Sequence, residues 1–195
     1  GLPLSGRHNV ANGLACLAVA GHLGMDPAQA AGHLAGFSGV ARRLQLRGEE
    51  AGVRVVDDFA HHPTEVDETV RAARGRWPQA QLVAVFEPRT NTSRRRFFQE
   101  RYPQVFDQAD RVIIVPPFDV SQIPEAERFD SAALVQALRH RGSDAMLMSD
   151  ADQVVESLVP ELPRGAVVLV MSNGAFGNIH AKLLAALARR GQSDP

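Results

Sequence analysis

The chain reads as an α/β protein: a mostly parallel sheet with helices on both faces, preceded by a short helical hairpin. Three observations lead there. "QLVAVF" (81–86), "RVIIVP" (111–116), "AMLM" (145–148) and "AVVLVM" (166–171) are short, continuous apolar runs, as expected of strands buried on both faces. Stretches of helical period separate them. The first forty residues have a different texture, rich in Ala, Gly and Leu, and give way to alternating strands within "GFSGVARR", around residues 37–43.

The first predicted helix spans 7–23, with Val10, Leu14, Leu17 and Ala18 on one face and Gly24 to end it. Asp26-Pro27 is an N-cap followed by Pro at the first helical position, so a second helix should run to about Gly36. This pair is short and needs something else to pack on. "RRLQLRGEEAGVRVVDD" alternates around a Glu-Ala-Gly turn at 50–52 and predicts a two-stranded hairpin. From there β and α alternate. Helix 63–76 carries Val66, Val70 and Ala73, and the strand at 81–86 follows. Helix 93–106 should carry Phe97, Phe98 and Phe106, ahead of the strand at 111–116. Helix 131–141, the strand at 145–148, helix 151–159, the strand at 166–171 and helix 178–190 complete the chain. Alternation of this kind builds a parallel sheet covered on both sides.

Composition narrows the function. The 195 residues are enough for one sizeable core, or one domain with a small appendage. A net charge of −1 gives no footprint for nucleic acid or acidic membranes. No apolar run approaches the roughly 18 residues of a membrane span, and no basic-then-apolar leader opens the chain; a cytoplasmic protein is expected. Lys182 is the only lysine among 21 basic residues, and arginine suits phosphate and carboxylate recognition. Cys16 is the only cysteine; in "ANGLACLAVAG" a buried structural thiol is expected rather than a nucleophile. The sequence has no G-x-S-x-G elbow and no Walker A loop.

In open α/β sheets, ligands bind beyond the carboxyl ends of the strands. Three polar clusters follow strands directly and should gather on one edge: "DDFAHHP" (57–63), "EPRTNTSRR" (87–95) and "SNGAFGNIH" (172–180). In the first, Pro63, Glu65, Asp67 and Glu68 make a good helix start. That leaves Asp57, Asp58, His61 and His62 to explain. Metal ligation is one reading, but neighbouring histidines diverge and the spacing matches no common zinc pattern. A clamp on a polar ligand such as a ribose suits the cluster better, because a carboxylate accepts from two hydroxyls. In the second cluster, Arg89, Arg94, Arg95 and Arg96 sit at an expected helix N-terminus that attracts anions. Ser93 would cap it, two or more of the last three arginines would form a solvated face, and Arg89 is the better ligand candidate. In the third, Gly174 and Gly177 allow a turn whose N–H groups approach an anion, Ser172 and Asn173 are ligand or cap residues, and Phe176 is packing. Asn9 and Asn12, three apart on a helix start, can read an adenine edge; the simpler alternative makes Asn9 an N-cap.

"GRHNVAN", "GVARRLQ" and "VVDDFAHHPTE", in this order and spacing, resemble the Mur ligases of cell-wall synthesis. The resemblance covers nearly the whole chain. It implies the closing helices of a central ATPase domain (1–42) followed by a Rossmann-like C-terminal substrate- and ribose-binding domain (43–195). "DDFAHHP" is similar to the branch acting on UDP-N-acetylmuramate. "FEPRTNTSRR" and "MSNGAFGNIH" look more like members that add the tripeptide L-Ala-γ-D-Glu-meso-diaminopimelate in peptidoglycan recycling than like members that add L-alanine. The resemblance implies ATP and Mg2+ as cofactors, with the lysine loop and the magnesium ligands outside this stretch. Asn9 and Asn12 would contact adenine, Arg43 the phosphates, and Asp58 the ribose. His61 and His62 would lie between nucleotide and incoming substrate, Asp57 would be a strand-end neighbour, and Arg89, Ser172 and Asn173 would take the peptide's carboxylates. No residue of the stretch is expected to be catalytic itself or to bind a metal. A metal-dependent phosphohydrolase built on the Asp/His cluster is the competing reading from another class, and a non-catalytic binding module is a third.

Overall fold

The computed structural model describes residues 4–193. Two helices, α1 (Arg7–His22) and α2 (Pro27–Ala35), form the predicted hairpin. Asp26 caps α2, its carboxylate accepting from the amides of Ala28 and Gln29 at 3.0 Å. No residue of α1 is buried: Leu14 is 62% and Val19 61% exposed. The apolar face is there, but little of this chain covers it. Cys16, expected as a buried thiol, is exposed for the same reason.

The rest is one six-stranded sheet: β1 (Gln45–Glu50), β2 (Val53–Asp58), β3 (Leu82–Phe86), β4 (Arg111–Ile114), β5 (Asp144–Leu147) and β6 (Val167–Met171). The order is β1-β2-β6-β3-β4-β5, with only β1 antiparallel. Ala51 and Gly52 close the β1–β2 hairpin with φ of 48° and 74°, the left-handed pair that a two-residue turn between twisted strands requires.

Strand alternation divides the core in two. Val56, Ala84, Phe86, Ile114 and Leu169 face α3 (Pro63–Arg76) and α4 (Ser131–His140). Val55, Val83, Val85, Ile113 and Val168 face α5 (Ala151–Leu158) and α6 (Ile179–Ser193). β3 and β6 are buried along their whole length and β4 at three of its four residues, but β5, expected to be two-sided as well, is the edge strand and leaves Leu147 43% exposed.

One predicted element is absent. Residues 93–106 do not form a helix; they contain two single 3-10 turns, Arg96–Phe98 and Tyr102–Gln104. Pro103 has no N–H to donate, and its ring opposes the carbonyl four residues earlier. Ser93 and Thr90 bond to each other instead of capping a helix (Oγ to Oγ1, 2.7 Å). The aromatic spacing that suggested a helix has another cause. Tyr102 and Phe106 pack under Phe86 with centroids 5.1 and 5.8 Å away, while Phe97 is 77% exposed.

Candidate functional site

The order β2-β6-β3 brings the ends of three strands side by side, and with them the three polar clusters. Asp58 O accepts from Ser172 N at 3.2 Å, and Met171 O accepts from Glu87 N at 3.1 Å. The clusters therefore share one edge, as expected.

Adjacent residues of a strand point to opposite faces, and that separates Asp57 from Asp58. Asp58 faces α3. Its Oδ2 accepts from Leu44 N (2.7 Å), and its Oδ1 from Ala60 N (2.8 Å) and Thr69 Oγ1 (3.2 Å). Burial raises its pKa, against the lowering effect of these bonds and of Arg43. Asp57 faces α6. Its carboxylate lies 3.3 Å from Arg42 Nε, 3.4 Å from His180 Nε2 and 3.8 Å from Arg47 Nη1. Burial pushes its pKa up, but His180 and Arg42 outweigh that and hold it below the ordinary value of 3.8.

His61 and His62 are committed to local structure. His62 is the N-cap residue of α3; its Nδ1 accepts from Thr64 N at 3.3 Å, and its ring stands edge-on to Phe98 at 4.6 Å. His61 Nδ1 lies 3.0 Å from Phe59 O and 3.3 Å from the Glu65 carboxylate, and His61 O accepts from Tyr102 Oη at 2.6 Å. The four residues that suggested a metal point four ways. Among the described residues no group of three or more His, Cys, Asp or Glu is arranged to hold a metal ion.

A cleft of about 870 Å³ opens between the helical hairpin and the start of the sheet. It is lined by Asn9, Asn12, Arg43 and Asp58, together with His8, Cys16, Phe37 and Thr69. The four residues assigned to nucleotide from widely separated sequence positions thus share one cavity. Asn9 is not the cap of α1: Gly6 holds that position, and Asn9 Nδ2 donates to Ser5 O at 2.6 Å. Arg43 is exposed, with its guanidinium 5.9 Å from the centre of the Phe59 ring.

The residues assigned to the peptide do not line that cleft. Arg89 lies on the ring of Phe118, 3.7 Å from its centroid, with Nη1 3.4 Å from Glu87 Oε1. Its side chain crosses Gly174: a Cβ there would stand 2.0 Å from Arg89 Nε. So Gly174 makes room for an arginine and does not form a backbone cradle for an anion; its own N–H is given to Ser172 Oγ at 3.0 Å. Ser172 is buried and donates to Glu87 Oε2 at 2.5 Å, which leaves it an internal link and not a surface ligand. Asn173 Oδ1 is buried, with no hydrogen-bond partner among the described residues.

Arg96 is exposed, while Arg94 and Arg95 are half-buried, and together they lead into a single 3-10 turn instead of an α-helix. Arg94 donates to Phe118 O (3.2 Å) and Asp119 O, Arg95 to Glu127, and Arg96 to Arg128 O (3.2 Å). They tie one loop to another. Two residues of the site were not singled out from the sequence. Arg42 donates to Ser172 O and to Gly174 O (3.1 Å), joining the segment before β1 to the end of β6. Glu87 is 5% exposed; a carboxylate directly after an all-apolar strand and before Pro88 was the available signal.

Residues 42–174 match the family described as "Mur ligase, glutamate ligase domain". The chain belongs to the Mur ligase family. Over 191 residues, 97% of this chain and 40% of the relative, it is 40% identical to the UDP-N-acetylmuramate–L-alanyl-γ-D-glutamyl-meso-2,6-diaminoheptandioate ligase of Escherichia coli (strain K12). It is 34% identical to a UDP-N-acetylmuramate–L-alanine ligase of Caldanaerobacter subterraneus subsp. tengcongensis, over 94% of the chain and 39% of that relative. The crystal structure of a murein peptide ligase from Psychrobacter arcticus 273-4 superposes with a TM-score of 0.70 at 29% identity, covering 96% of this chain and 38% of that one. This Mur ligase chain spans about two fifths of the length of the curated relatives it matches. Among its described residues no helix is long and apolar enough to cross a membrane.

Proposed function

We propose that the chain is the C-terminal part of an ATP-dependent ligase acting in the cytoplasm. The enzyme would join L-Ala-γ-D-Glu-meso-diaminopimelate to UDP-N-acetylmuramate in peptidoglycan recycling. Residues 1–42 would close the central ATPase domain and residues 43–195 would form the C-terminal domain. The observation that carries the nucleotide half is the convergence of Asn9, Asn12, Arg43 and Asp58 on one cleft. The family, and the 40% identity to a tripeptide-adding relative, support the reaction class.

ATP would supply the phosphoryl group that activates the sugar's lactyl carboxylate as an acyl phosphate, which the peptide amine then attacks. In this reaction the chain's own residues bind and orient. Asn9 and Asn12 would hold the base, and Arg43 would offset charge on the phosphates. Asp58 would take the ribose with whatever acceptor capacity its three internal bonds leave. The lysine loop and the Mg2+ ligands would come from other parts of the enzyme, so the 195 residues alone should not ligate.

The test is a phosphate-release assay on the enzyme expressed from its complete gene, with ATP, UDP-N-acetylmuramate and either tripeptide or L-alanine. Preference for the tripeptide is expected. Preference for L-alanine would move the enzyme to the other reading, which the 34% identity to an alanine-adding relative keeps in play. Ligation by the 195-residue chain alone would sink the division of labour proposed here.

A further inference from the structure

Arg89 is held from three sides, and only one of them was visible as a ligand motif. The Phe118 ring supports one face of the guanidinium at 3.7 Å. The backbone of Gly174 lies against the other part of the side chain, too close for any Cβ. Glu87 takes Nη1 at 3.4 Å. Glu87 is itself held: its other carboxylate oxygen accepts from Ser172 Oγ at 2.5 Å, and Ser172 Oγ accepts from Gly174 N at 3.0 Å. So one buried carboxylate is bonded both to the arginine and to the loop that the arginine crosses. A long cationic side chain loses much rotamer entropy when a ligand orders it. A partner that fixes it beforehand removes part of that cost.

We propose that Glu87 is the positioning residue for Arg89. It orients the guanidinium between Phe118 and Gly174 so that the remaining N–H donors meet a carboxylate of the incoming peptide in a fixed direction. The inference rests on the ligase reading above and deepens it, because it assigns a role to a residue that contacts the arginine and not the substrate. Arginine forks recognise carboxylates through paired, coplanar N–H bonds, so directing the fork determines which carboxylate fits.

The test uses the complete enzyme and steady-state kinetics with the tripeptide. Glu87→Gln keeps the side chain's size and an oxygen for Ser172 but removes the charge facing Arg89. Its KM for tripeptide should rise about tenfold, the scale of one charge-assisted hydrogen bond. The KM for ATP and the melting temperature should stay as in wild type, with kcat changed far less than KM. Glu87→Asp should recover part of the loss. Arg89→Ala and the Glu87→Gln/Arg89→Ala double variant should have the same KM, since Glu87 acts only through Arg89. An unchanged KM in Glu87→Gln overturns the proposal, and so does a lowered KM, which would make Glu87 a competitor for Arg89. A double variant much worse than Arg89→Ala also overturns it. If Glu87→Gln does not fold, Phe118→Leu tests the same cradle from an exposed position; it should raise the tripeptide KM, and no change there overturns the proposal. A wild-type enzyme that does not use the tripeptide sinks the ligase reading and this role with it; an active wild type with an unaffected Glu87→Gln sinks this role alone.

Discussion

Asp57 and Asp58 are neighbours in sequence and opposites in electrostatics. Burial raises the pKa of both, but only Asp57 has cationic partners strong enough to reverse the effect. The sign of each contribution to stability follows. Asp57 titrates below 3.8 in the folded chain, so its stabilisation is present above that value and is lost as pH falls through the folded pKa. Asp58 titrates above 3.8, so its contribution is complete below that value and is lost as pH rises through its folded pKa. Melting curves between about pH 2 and pH 7 should show Asp57→Asn with a smaller acid-side loss than wild type. Asp58→Asn should give the opposite change in slope, superimposed on a constant loss of about 1–3 kcal/mol, because its amide would face the buried N–H of Leu44. Identical pH dependence in both variants would contradict the pairing described. Gly174 gives a third outcome at a single residue. Gly174→Ala forces Arg89 off its present path; the variant should fold, melt within a few degrees of wild type, and lose affinity for the tripeptide in the complete enzyme. Unaltered peptide affinity would show that the path of Arg89 does not matter.

The β1–β2 hairpin shows how far local rules carry an element. The alternation and the Glu-Ala-Gly turn were legible because strand period and turn chemistry act within a few residues. Ala51 nevertheless sits at φ 48°, a conformation costing a non-glycine residue roughly 1–2 kcal/mol. Ala51→Gly should therefore stabilise the chain by up to about 1 kcal/mol in urea denaturation; a decrease would mean that other contacts of the Ala51 methyl outweigh the strain. Helix caps are equally local, although only Asp26 was named from the sequence: Asp26, Asp130 and Asp150 each accept from amides of the first turn, and Asp150→Ala should cost α5 about 1 kcal/mol. The segment 93–106 is the counter-example. Its i, i+4 aromatics, Phe98, Tyr102 and Phe106, have helical spacing. Tyr102 and Phe106 are placed instead by Phe86 beneath them and by His61 O, which takes the Tyr102 hydroxyl, and Phe98 by the ring of His62. These partners lie sixteen or more residues away in sequence, beyond what periodicity within a window can register.

Across the molecule, the weakest attachment is the helical hairpin. α1 buries nothing and α2 buries only Ala30, while the sheet carries two well-filled cores. Limited proteolysis of the 195-residue chain should cut first within 36–43 and leave 43–195 resistant, with an almost unchanged melting temperature. Protection of 36–43 equal to that of the sheet would show that the hairpin is an integral part of this unit.

Strands β3, β4 and β6 could be read in one dimension because they are continuous apolar runs, and burial on both faces leaves that mark on composition. The same holds for the convergence of three clusters on one edge, since every parallel strand ends on the same side. The division of labour among the polar residues could not be read that way. Whether Ser172 meets a ligand or Glu87, whether Gly174 cradles an anion or clears a path for Arg89, and whether Arg42 or Arg43 enters the cleft depend on contacts between segments up to 132 residues apart. Hydrogen-bond partners are chosen by distance in space, and at this edge the crossing order of β2, β6 and β3 sets those distances.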